Sequence, residues 1–263
     1  MDLTQGRCWK TILVFSLPII FSYLLQQVYS ISDAAIVGQT LTAQEVPGVN
    51  DTTSLVFIFL QFAFGVSAGF CVVTSCSVGC RDHVGVRRSL STQIILSAAL
   101  TVLLTAAALL LLNPMLAWIN VTPDNPEVYH AAHTYCFIIF AGIGAQLFYN
   151  FICSFLRSMG DSVTPLLFLL FSTVLNVGLD LLFIIVFRWG VAGAAIATVI
   201  GQICACIFAL ILNLKKNPEI HLVFRGFRPN WRIIGSIYAI GLPSVVMMAI
   251  GSVMTFLMNK ILI

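Results

Sequence analysis

The stretch Ser172–Thr198, STVLNVGLDLLFIIVFRWGVAGAAIAT, is apolar almost throughout, yet it sets a carboxylate, Asp180, between Val174 and Val186. Asn176 lies four residues earlier, so in a helix the amide and the acid leave from one face. An acid inside a membrane span costs roughly 2.5–3.5 kcal/mol on insertion scales and by default marks a functional position. No lysine or arginine lies within a turn of Asp180 to neutralise it. The rest of the chain reads as the scaffold that makes this acid tolerable.

Of the 263 residues, 59% are hydrophobic and 9% charged, and the mean hydropathy is +1.01. Soluble domains carry about a quarter charged residues, so this is an integral membrane protein. The net charge of +3 is too small and too scattered for a nucleic-acid partner. Crossing the hydrocarbon takes about 20 apolar residues. Seven stretches qualify, at roughly 12–37, 53–78, 90–113, 130–155, 163–187, 191–213 and 233–260. With no water to satisfy the backbone, all seven are expected as helices, and the alternation of a β-barrel is absent. The fold class is therefore all-α, a polytopic transmembrane helix bundle. The head, MDLTQGRCWK, precedes a span too long for a signal sequence, so the first span is expected to be retained. Eight cysteines fall mostly in apolar runs without CxxC spacing and read as small packing residues.

Basic residues set the orientation. Arg7, Lys10, Arg81, Arg87, Arg88, Arg157, Lys215, Lys216, Arg225, Arg228 and Arg232 fall on one side of the spans, with Arg188 and Lys260 as the exceptions. The N-terminus is thus expected to be cytoplasmic. The turns at 79–89 and 156–162 are short, which makes spans 2–3 and 4–5 antiparallel hairpins. The basic segment 214–231, with Pro218 and Pro229, reads as a linker between a six-helix lobe, 1–213, and the start of a second lobe, 232–263. Lys10-TILVFSLPII and Arg232-IIGSIYAIGLPSVV both run from a basic flank to Leu-Pro, and their prolines fall six spans apart, in spans 1 and 7. That is the mark of a parallel repeat. The chain then reads as a protein truncated after its seventh helix, with most of the second lobe missing.

A rise of 1.5 Å per residue gives the depths. Asp180 falls roughly 10 Å below the outer end of span 5, Thr198 at a similar depth in span 6, and Asp33 in the last turn of span 1. Equal depth permits them to meet in the outer half. Two carboxylates in one desolvated pocket resist being ionised together, so such a pair can carry a proton. Alternatively, a monovalent cation can sit among carboxylate, amide and hydroxyl oxygens. Asp33 could equally be a solvated helix end, Asn176 a packing amide and Thr198 a close-packing residue. Asp180 fits such a bland role least well. Pro18 interrupts the bond to the Val14 carbonyl in mid-span and is either a fixed kink or a hinge. Gln26, Gln27 and Asn150 are candidates for lining a cavity.

Ser158-Met159-Gly160-Asp161 departs from the Gly-x-Gly-Asp of intramembrane proteases at its first position, and the four histidines sit at or near loops. An enzyme is not expected; a transporter is. A lipid or polysaccharide flippase would want a cationic cavity, whereas no basic residue is expected within spans 1–6. A non-transporting membrane assembly module is the remaining alternative.

The order of the motifs resembles the multidrug and toxic compound extrusion (MATE) family. The residues that carry the resemblance are Leu17-Pro18, Asp33 and Val37-Gly38 in span 1, FLRSMGD at Phe155–Asp161, LNVGLD at Leu175–Asp180 and GAAIAT at Gly193–Thr198. The resemblance implies twelve helices in two six-helix lobes and a multi-pass protein of the cell membrane, here a bacterial inner membrane. It implies export of amphiphilic, mostly cationic compounds in exchange for protons or sodium, with no cofactor. It implies that Asp33, Asn176, Asp180 and Thr198 form the cation-coupling cluster, which is also where Na+ would bind. It further implies that Pro18 bends span 1 when the cluster is protonated.

Overall fold

The computed structural model describes residues 7–40, 45–119, 121–216 and 231–262. They form eight α-helices: α1 Cys8–Thr40, α2 Glu45–Gly79, α3 His83–Leu110, α4 Leu112–Trp118, α5 Pro126–Ser158, α6 Val163–Asp180, α7 Gly190–Lys216 and α8 Trp231–Leu262. A π-helical turn, Leu181–Val186, extends α6. There is no strand among the described residues.

Six helical stretches are long and apolar enough to cross a membrane: Cys8–Thr40, Leu55–Gly79, His83–Leu110, Pro126–Ser158, Val163–Val186 and Gly190–Leu212. The seventh expected span falls in α8, whose apolar part among the described residues is Ile233–Met247. The linker expected at 214–231 lies largely outside the described residues. The third expected span ends early, at Leu110, and a short helix follows at Leu112. Pro114, which has no N–H to give, sits in the first turn of α4.

α5 is the centre of the bundle, with α2, α3 and α7 packed around it. α1 lies against α6 and touches α7, while α8 lies along α2. One core unites five of these helices with α8 through Phe70, Leu90, Phe155, Phe168, Ala205 and Ile237. The apolar side chains of α1, among them Ile12, Phe21, Leu24 and Ile31, face outward. In water so much exposed apolar surface would drive association; in a bilayer it is the surface that lipid covers. Between α2 and α8 the backbones approach at a Gly65-x-x-x-Gly69 pair. A Cβ added to Gly69 would lie 2.6 Å from the Gly241 Cα, and one added to Gly65 would lie 2.7 Å from the Val245 Cα. Small residues permit this kind of contact where no hydrophobic force acts between helices.

Candidate functional site

Asp180 is the last residue of α6 and is fully buried, at 0% exposure; Asn176, one turn earlier, is 2% exposed. Among the described residues neither oxygen of Asp180 and neither polar atom of the Asn176 side chain has a hydrogen-bond partner. An unpartnered carboxylate in an apolar interior is costly enough that a proton or a cation must neutralise it. The π-turn begins immediately after Asp180, so regular α-helical bonding gives way at the acid itself. Gly193 lets α7 approach this turn, since a Cβ there would lie 3.2 Å from the Phe183 carbonyl. Gly201 does the same for Asn176, where an added Cβ would sit 3.4 Å from the Asn176 Cβ.

Asp33 reaches the same place from α1. Its carboxyl lies within electrostatic range of Asp180. Tyr29, one turn earlier on α1, shares a hydrogen bond with the Thr198 side chain and lies in the field of both acids. Tyr135 on α5 also lies in the field of both. Asp33, Thr198, Tyr29 and Tyr135 line a cavity of about 430 Å³, together with Gln26 and Gln27. Asn176 and Asp180 are not on its wall. All four expected cluster residues thus gather in one region, with Asp33 and Thr198 facing the cavity and the Asn176–Asp180 pair buried beyond it. The donors on offer are carboxylate, amide and hydroxyl oxygens, a hard set that suits a proton or Na+ as cargo. No group of three or more His, Cys, Asp or Glu residues able to hold a metal occurs among the described residues.

Asn150 lines a second, narrower cavity of about 60 Å³, and its Nδ2 has no partner among the described residues. α1 runs unbroken through Pro18, and the Ser22 hydroxyl donates to the Pro18 carbonyl at 2.8 Å.

One expectation fails. The sequence puts Arg157 in the turn at 156–162 and no basic residue inside spans 1–6. In the structure α5 continues to Ser158, and Arg157 lines the narrow cavity with its Nε buried. The reason is the helix stop. Gly160 takes a left-handed φ of 82°, and the Met159 and Asp161 amides donate back to the Phe155 and Leu156 carbonyls, so the helix closes one turn later than expected. The sequence reading also missed Tyr29, Tyr135, Gln146 and Gln202. Ser22, Gln26, Tyr29 and Asp33 follow an i, i+4, i+7, i+11 pattern on α1, a polar face that could have been read as such.

The MatE family model matches residues 18–182. The chain is 32% identical over 243 residues to the probable multidrug resistance protein YpnP of Bacillus subtilis, covering 92% of the chain and 54% of that protein. It is 24% identical over 263 residues to the multidrug export protein MepA of Staphylococcus saprophyticus, covering 98% and 56%. A solved structure, an outward-facing conformation of a multidrug resistance MATE family transporter of the MOP superfamily, superimposes with a TM-score of 0.90 at 25% identity. That match covers 98% of the chain and 57% of the other. The fold defines a multi-pass membrane protein built as an all-helical bundle. The chain belongs to the MatE family. It spans about half the length of the curated relatives it matches.

Proposed function

We propose that the chain is the cation-coupled lobe of an exporter that exchanges protons or sodium for amphiphilic, mostly cationic compounds by alternating access. The observation that carries this reading is Asp180, fully buried, with both oxygens unpartnered among the described residues and a second acid in electrostatic range. Such a pair releases or takes up one positive charge at little cost when its surroundings change, which is what coupling requires. Each charge moved down 100 mV supplies about 2.3 kcal/mol, enough to drive a useful substrate gradient. The adjoining 430 Å³ cavity falls in the size range of small-molecule sites and mixes amide, phenol and apolar walls. The names of the relatives, which speak of multidrug resistance and export, agree with this reading. In this reading the N-terminus is cytoplasmic, as the basic loops support, the acid cluster lies in the outer half, and α8 begins a second lobe.

Arg157 gives the interior one fixed positive charge, which a flippase for anionic lipids would use. At about 60 Å³ the space around it is far below the roughly 300 Å³ of a small-molecule site, so a lipid headgroup does not fit there. The antiporter reading is preferred on that ground.

The test is Asp180→Asn in the full chain, expressed in a drug-sensitive bacterium. Resistance is expected to fall to the level of cells without the protein, at an unchanged amount in the membrane. Full resistance in that variant removes Asp180 from the coupling role.

A further inference from the structure

The two cavities share Gln26, Tyr29, Gln146 and Gln202 in their linings, so they meet wall to wall. On α5 the pair runs from Tyr135 to Arg157, 157 − 135 = 22 residues, or about 33 Å of helix. The hydrocarbon core of a bilayer is about 30 Å thick. The two cavities thus form one tract with mixed polar and apolar walls that runs from Asp33 to Arg157, about the depth of a bilayer core. Its narrow part has room for about four waters. Three buried polar atoms on this tract, Asn150 Nδ2, Arg157 Nε and Gln202 Oε1, have no partner among the described residues, and water would satisfy them.

A hydrated tract of this length, with a cation site at one end, would let protons or sodium run through without transport. Something must stop them. Among the described residues lining the narrow part, Arg157 is the one charged side chain, and none is acidic. A guanidinium keeps its charge at any physiological pH. A fixed positive charge in a narrow polar passage raises the barrier for cations and protons while leaving water in place.

We propose that Arg157 is an electrostatic plug at the inner end of this tract, keeping the cation held near Asp33 and Asp180 from leaking to the cytoplasm through the lobe. The inference rests on the coupling reading for the identity of the ion, but not for the existence of the tract.

The experiment uses the full chain reconstituted in liposomes under an imposed membrane potential, without drug. Proton entry is read by a trapped pH dye, and sodium entry by a sodium dye in a parallel set. Arg157→Gln is expected to raise substrate-independent entry of one of these ions about tenfold. Arg157→Lys, which keeps the charge, is expected to stay at the wild-type level. Asn150→Asp sets an anion in the same narrow cavity as an intact Arg157 and is expected to leak as Arg157→Gln does, which covers the case in which Arg157→Gln fails to fold. If neither Arg157→Gln nor Asn150→Asp leaks either ion, the plug is overturned. Equal leaks from the Gln and Lys variants also overturn it, because they show a packing defect and not a charge effect. Adding Asp180→Asn to the leaking variant separates the two ideas. A leak that persists upholds the plug without a role for Asp180, and a leak that vanishes upholds both.

Discussion

Gln93 and Asp180 are both buried polar side chains, and they differ in that the first is surrounded by hydrogen-bond acceptors and the second has no partner among the described residues. The Gln93 Nε2 lies 3.0 Å from the Phe70 carbonyl, 2.7 Å from the Thr74 hydroxyl and 2.8 Å from the Ser89 hydroxyl, three acceptors for its two hydrogens. It is surrounded by acceptors, and it ties α3 to α2. Asp180 and Asn176 are equally dry, yet no described neighbour satisfies them. Sequence alone could not separate these cases, since each is a polar residue in an apolar run. Gln93→Leu should cost about 1–2 kcal/mol, seen as an apparent melting point a few degrees lower, with ion coupling intact. An unchanged melting point would show that the network contributes nothing. Asp180→Asn should do the reverse, removing coupling while melting stays put or rises, because an unpartnered buried acid is itself a cost.

At the scale of elements, the helices and the order of the spans were legible because apolar runs of membrane length have no alternative but to be helical. The LNVGLD and GAAIAT segments place their acid and hydroxyl at equal depth by rise alone. What was not legible was where helices stop and how closely they pack. The extra turn of α5 depends on Gly160 adopting a left-handed φ, and it moves Arg157 from a loop to the wall of the narrow cavity. The π-turn after Asp180 has no local signal in LLFIIV. The α2–α8 contact depends on two glycines four apart meeting Gly241 and Val245, which no single segment announces. Gly69→Ala puts a Cβ against backbone that cannot swing aside. It should destabilise that contact by about 1–3 kcal/mol, read as a lower melting point of the purified full chain. An unaltered value would mean that α8 does not pack there. For α1, Pro18→Ala returns an amide donor to the Val14 carbonyl and stiffens the helix. If bending of α1 is part of the cycle, efflux drops while membrane insertion and melting hold; full efflux would leave Pro18 as a static kink.

Across the whole molecule, the lobe is a lipid-facing shell around a polar seam in which α1, α5, α6 and α7 each contribute one face. Charges are almost absent from that seam. Asp33 and Asp180 stand at one end and Arg157 at the other, so the seam is polarised across the membrane. The two proposals, cation uptake at the acidic end and exclusion at the basic end, both rest on that single arrangement. Whether Asp33 and Asp180 act as one site or as two is read from a double-mutant cycle on coupled ion movement. Proton or sodium flux driven by substrate is measured in liposomes for Asp33→Asn, Asp180→Asn and the pair together. One shared site predicts that the double variant loses no more than the more damaging single change. Losses that multiply, each acid contributing its own factor, would contradict it.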